Sequence, residues 1–244
     1  VRTELRIVAT AGSLPRIHAV GGLAGRRTAV DTVHLIGTAA TPLGGDEIDI
    51  TIVVGAGARL AVRSVAATIA LPGRITRKSV ARWHFEVGAG GVLDFDPEPT
   101  VVAGGAEHDT VTLVRLAEGA KLRLRERVQI GRTGEDHGYW SGDLHADIGG
   151  LPLLRHRLDL GADAITDDAL SGPRSLESVL IYPDDRTAET VGMDAALLPL
   201  AAGGTLFTRT GSTLGTSGFQ GRSAPKNPSM ASIANSQSAP TRSP

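Results

Sequence analysis

Cysteine is absent from the 244 residues. That excludes disulfides and thiolate metal sites, and it fits a reducing compartment. Aromatic residues make up only 3% of a chain that is 41% hydrophobic, so the core must be built from Val, Leu, Ile and Ala. Such a core suits close-stacked strands, where β-branched side chains pack well on pleated faces. No apolar run is long enough to span a bilayer. The opening VRTELRIVATAGSLPR also lacks the continuous apolar stretch of a secretory signal. A soluble, cytoplasmic protein is expected. An excess of either charge is missing too: the formal net charge of −1 gives no electrostatic case for nucleic acid or an anionic membrane. Arginines outnumber lysines but lie scattered among acids, without a basic tract or aromatic platform, and are read as solvated surface.

Glycine is abundant, with 31 residues, and 13 prolines add further turns. Three segments repeat one phrase: an alternating apolar strand, a Gly/Ala corner, then a second short apolar run. They are EIDITIVVGAGARLAV (47–62), RWHFEVGAGGVLDF (82–95) and TVTLVRLAEGAKLRL (110–124). Aligned on the leucine after the corner, Leu60, Leu93 and Leu122 stand 33 and 29 residues apart. A recurrence of that length means stacked units, each too small to bury its apolar face alone. The predicted fold is mainly β: a helical-coil or solenoid-like stack of strands with one or two short α-helices.

Further strands are expected at 3–10, 32–38, 176–185 and 205–211. A hairpin is expected at 144–149 and 152–160, turning on Gly149-Gly150. One helix is predicted over 187–201 (TAETVGMDAALLPLA), with Thr187 as N-cap and Gly203-Gly204 beyond its end. After Gly215 the composition turns to Ser, Pro, Gly and Asn. That stretch cannot bury enough surface to offset its ordering entropy. The organisation is therefore a β domain over 1–214 and a disordered tail over 215–244.

Signatures of enzymatic chemistry are sparse. GAGARL and GAGGVL mimic dinucleotide-binding glycine loops, but a strand rather than a helix follows each corner. Neither a lysine phosphate loop nor a Gly-x-Ser-x-Gly elbow occurs. The segment 134–147 is dense in metal-capable groups. A metal-dependent enzyme using Glu135, His137, Asp143 and His145 on a β scaffold is one alternative. His108, beside Glu107 and Asp109, is read as a solvated turn. Three other acids stand out by position: Asp46 at the start of the first unit, Glu98 between two prolines after the second, and Glu126 closing the third. In a stack, such positions from successive turns share a surface or an interior channel. Equally, Asp46 can cap a turn and Glu126 can pair with Arg125, Arg127 or Arg132.

The string TPLGGDEIDITIVVGAGARL (41–60) resembles the Gly-Gly-Asp segment of the UreD family of urease accessory proteins, also called UreH. AAT (66–68), LDFDPEPTVV (93–102) and LRERVQIGRTGE (124–135) then follow in the family's order. PLLRHRLDL (152–160), LIYP (180–183) and LFTRTG (206–211) continue it, so that the likeness covers roughly 1–214. It implies a maturation factor that is not an enzyme. Such proteins bind apo-urease and the accessory protein UreF, which recruits the GTPase UreG, and the assembly inserts nickel into urease. It further implies no tightly bound cofactor and no stable metal site, with nickel moving transiently through an internal, water-filled passage. Carried over by position, Asp46, Glu126 and Glu135 match family acids and, with Glu98, are candidate passage or support residues. His156 stands where the family often has an acid, and its imidazole can also contact nickel.

Overall fold

The computed structural model describes residues 1–135, 137–162, 164 and 172–215. The predicted tail lies outside the described residues from 216 onward. Eighteen strands occur among the described residues, and no α-helix. The chain opens with β1 (Arg2–Ala9), β2 (Arg16–Val20), β3 (Leu23–Ala29) and β4 (Thr32–Gly37). The first full coil is β5 (Glu47–Val54), β6 (Arg59–Ser64) and β7 (Thr68–Ala70). The second is β8 (Lys78–Val87), β9 (Val92–Phe95) and β10 (Thr100–Val102). A third begins with β11 (Glu107–Leu116) and β12 (Lys121–Ile130). The hairpin β13 (Tyr139–Ile148) and β14 (Leu151–Gly161) follows, then β15 (Ser175–Tyr182). A meander of β16 (Glu189–Val191), β17 (Ala195–Pro199) and β18 (Thr205–Gly211) completes the described chain.

Each coil sends its first strand to one sheet and its second to a facing sheet. The first sheet runs β14-β13-β11-β8-β5-β1-β2, parallel from β13 to β1. The second runs β16-β17-β18-β15-β12-β9-β6-β4-β3, parallel from β12 to β4. Leu60 pairs in register with Leu93, and Leu93 with Leu122, so the column expected from the repeat is present. At the corners, Gly57, Gly90 and Gly119 take φ of 65°, 65° and 72°. That left-handed backbone is what glycine permits without steric cost, and it turns each coil from one sheet to the other.

The predicted helix over 187–201 is instead the hairpin β16–β17, turning at Gly192 with φ 68°. Its apolar residues AALLP alternate against β18, with Ala195 and Leu197 buried and Leu198 exposed. Pairing with β18 overrides the helical propensity of that stretch, since a free strand edge leaves backbone donors and acceptors unmet. The arginines of β12 also depart from the expected solvated surface. Asp96 accepts hydrogen bonds from Arg123, Arg125 and Arg127, and Arg125 also donates to Glu177, which is only 4% exposed. Burial opposes the charge of Asp96, but Arg123, Arg125 and Arg127 hold its carboxyl below the usual range.

The apolar interior is divided. One cluster fills the corner end, around Leu60, Leu93, Leu122, Ile52 and Phe85. A second, around Trp140, Val102, Val128, Ile130 and Leu176, closes the other end. Leu93 is 1% exposed at the centre of the leucine column. Leu93→Ala should cost about 2–5 kcal/mol in urea unfolding. The fully exposed Ile75, changed to Ala, should shift it by no more than about 0.5 kcal/mol.

Candidate functional site

Residue by residue, the second sheet parts in its middle. The first half of β12 pairs with β9 as far as Leu124–Phe95, and the second half pairs with β10 from Val128–Thr100 onward. Between these ladders the chain runs Asp96-Pro97-Glu98-Pro99. Proline carries no N–H for a ladder bond, so this stretch leaves the sheet. The preceding coil leaves it at 65–67, between β6 and β7. A hydrogen bond of 2.8 Å from the Glu98 amide to Ser64 Oγ ties the two departures together. Arg127 fastens the rim from β12 by donating to the Pro97 carbonyl.

The gap backs onto a cavity of about 420 Å³ between the sheets. Its walls are apolar towards the corner end, where Trp83 stacks on Phe85 and meets Phe95 edge to face at 5.1 Å. Its polar lining includes Glu98, Glu126, Arg125 and Arg127 on one side and His108, Thr110 and Thr112 of β11 on the other. Glu126 shares strand parity with Leu122 and Leu124, so it points between the sheets, whereas Arg123, Arg125 and Arg127 emerge on the opposite face. No hydrogen bond or ion pair holds the Glu126 carboxyl among the described residues. The expected pairing with a neighbouring arginine is therefore prevented by parity, despite adjacency in sequence.

Of the other positions singled out by sequence, Glu98 lies at the exposed rim, with Arg127 4.0 Å away. Asp46 is buried but does not line the cavity. It caps its turn, accepting from Leu43 N and Thr41 Oγ1, both at 2.9 Å. Thr41 does line the cavity, so Asp46 supports the wall from behind. Glu135 sits in the loop after β12, paired with Arg132 and accepting from Gly104 N at 2.8 Å. The Arg132 guanidinium, with the Arg132 and Gly104 amides, pulls its carboxyl down to about 2. His156 pairs with Leu144 on the edge strand β14, away from the cavity lining.

The alternative metal cluster is not assembled. Asp143 and His145 project from the outer face of β13, where Asp143 pairs with Arg157 at 2.8 Å, while Glu135 is engaged in its own loop. Among the described residues no three His, Asp or Glu side chains are placed to hold a metal ion. Asp136 lies outside those residues.

His108 departs furthest from its expected place. It is 3% exposed within β11, not solvated in a turn, and its Nδ1 lies 2.9 Å from Ser79 Oγ. Trp140 Nε1 donates to Thr110 Oγ1 at 3.1 Å, which satisfies one of the buried hydroxyls beside it. Local alternation misleads here, because Val111 and Leu113 look like the inward residues. Counting back by twos from the buried Leu116 gives Val114, Thr112, Thr110 and His108, a signal that was available in the sequence.

Burial pushes the Glu126 carboxyl from 4.5 up to about 7 and the His108 imidazole from 6.5 down to about 4. The signs of the two linkages are opposite. Native Glu126 keeps a proton that the unfolded chain loses, so its contribution to stability falls as pH rises from about 4.5 to about 7. Native His108 refuses a proton that the unfolded chain accepts, so stability falls as pH drops from about 6.5 to about 4. Glu126→Gln should therefore stabilise the fold at about pH 8, by on the order of 3 kcal/mol, with the gain shrinking towards about pH 5. Thermal unfolding at the two pH values checks this, and a less stable Gln variant at the higher pH would mean the carboxylate is paired.

Known proteins give the same segments an identity. A family profile described as UreD urease accessory protein matches residues 22–216. The urease accessory protein UreD 1 of Saccharopolyspora erythraea is 43% identical over 179 residues, covering 72% of this chain and 70% of that protein. UreD of Frankia alni is 43% identical over 204 residues, covering 72% and 67%. UreD of Streptomyces coelicolor is 35% identical over 228 residues, covering 85% and 89%. Three of the segments that carry the resemblance, AAT, DPEP and LRER, contribute residues to the lining of the cavity, whereas PLLRHRLDL, LIYP and LFTRTG do not. The chain belongs to the UreD family of urease accessory proteins.

Proposed function

We propose that this chain is a non-enzymatic maturation scaffold that delivers nickel to apo-urease through the gap and the cavity between its sheets. In this reading it binds apo-urease and UreF, with UreG recruited through UreF, in the cytoplasm. Nickel is cargo and no cofactor is held. The observation that carries the reading is Glu126: a carboxylate without a partner, lining a cavity whose rim bears the exposed Glu98. A structural carboxylate is normally paired when buried. One left open to a cavity costs stability unless a cation visits it.

The chemistry of the lining agrees with transit. Oxygen donors bind nickel more weakly than thiolates or clustered imidazoles, so a path whose metal-binding groups are carboxylates, hydroxyls and the single imidazole of His108 releases what it takes up. Glu98 at the rim attracts a divalent cation and Glu126 receives it, while Thr110 and Thr112 offer hydroxyls to its water shell. Asp46, Glu135 and His156 act as supports of the surrounding wall, loop and sheet edge.

In a reconstituted urease activation assay, Glu126→Gln should leave co-purification with UreF and urease intact while lowering activation about ten-fold or more at limiting nickel. Normal activation by that variant would contradict the passage. Loss of the complexes themselves would assign Glu126 to assembly instead.

A further inference from the structure

A buried nitrogen shares the cavity with Glu126. Ser79 Oγ lies 2.9 Å from His108 Nδ1 and 3.4 Å from the Glu107 carbonyl oxygen. A serine hydroxyl has one proton to give. Both contacts are satisfied when Ser79 donates to the Glu107 carbonyl and accepts from His108 Nδ1–H. That tautomer leaves Nε2 unprotonated, with its lone pair available. The next inward residues of β11 beyond the threonines are Val114 and Leu116, so an apolar side chain suits this face of the strand.

We propose that His108 Nε2 and the Glu126 carboxylate form a mixed nitrogen–oxygen site that holds a borderline divalent cation in transit, with Ser79 orienting the imidazole. This rests on the passage reading and adds selectivity to it. The two residues line one cavity from opposite sheets. Facing sheets stand about 10 Å apart, so a glutamate and an imidazole reaching inward approach a common ion. Two protein donors leave the remaining positions to water, which keeps the site exchangeable. Imidazole is the discriminating partner: it suits nickel, zinc and copper, whereas oxygen-only sites suit magnesium and calcium. A serine hydroxyl on the second ring nitrogen is the kind of outer partner that fixes a ligating histidine.

The test uses the full chain loaded with one equivalent of Ni²⁺, read by X-ray absorption at the nickel edge and by competition with excess Mg²⁺. Wild type should show imidazole scattering and keep nickel against magnesium. His108→Gln should lose the imidazole signal and become sensitive to magnesium. Ser79→Ala, which retains the ring, should weaken nickel binding by about ten-fold. Circular dichroism confirms that each variant is folded, and should His108→Gln fail to fold, Ser79→Ala decides the question. An oxygen-only shell in wild type, or unchanged nickel binding by both variants, would overturn the His108 site while leaving the passage standing. Nickel held equally by wild type and Glu126→Gln would overturn the passage itself, and with it this inference.

Discussion

Strand parity in an in-register parallel stack is the constraint on which the rest of this structure depends. Once Leu60, Leu93 and Leu122 are stacked in one column, the face of every residue in the coils is fixed by its distance from that column. A one-residue slip would turn each apolar set outward, so the hydrophobic term holds the register. Parity then does more than build a core. It sends Arg123, Arg125 and Arg127 to one face of β12, where they share Asp96, and sends Glu126 alone to the other.

The cavity follows from a local failure of pairing inside that otherwise regular stack. Proline at 97 and 99 removes two ladder donors, and the chain at 65–67 leaves the sheet beside it. The arginine network then has a mechanical role, because Arg127 secures the displaced Pro97 carbonyl. Opposed terms are visible here: ion pairs and apolar packing stabilise the frame, whereas Glu126 and His108 destabilise the interior they occupy. Proteins commonly give up local stability at functional positions, and this fold places that loss between its two apolar clusters.

Much of the frame was legible in the sequence. The leucine register, the glycine corners and the Gly149-Gly150 hairpin all follow from short-range patterns that the structure reproduces. The helix expected at 187–201 was not, because its apolar spacing satisfies helix and strand alike and the decision belongs to β18. Glu98 and Glu126 were marked by position and do share one cavity. His108 and Ser79 were missed for a physical reason. Their significance comes from strands 29 residues apart in sequence, and charged neighbours at 107 and 109 disguise an inward histidine as a turn. The same disguise worked in reverse at 134–147, where density of acids and histidines along the chain does not survive strand alternation.

In the proposed function, cations travel between the sheets and not over the outer surface. Anomalous diffraction at the nickel edge, from crystals of this chain soaked in a nickel salt, tests it most directly. Passage between the sheets predicts an anomalous peak inside the cavity beside Glu126. Peaks confined to the outer face, at Asp143 and His145 or at the rim alone, with an empty interior, would contradict it.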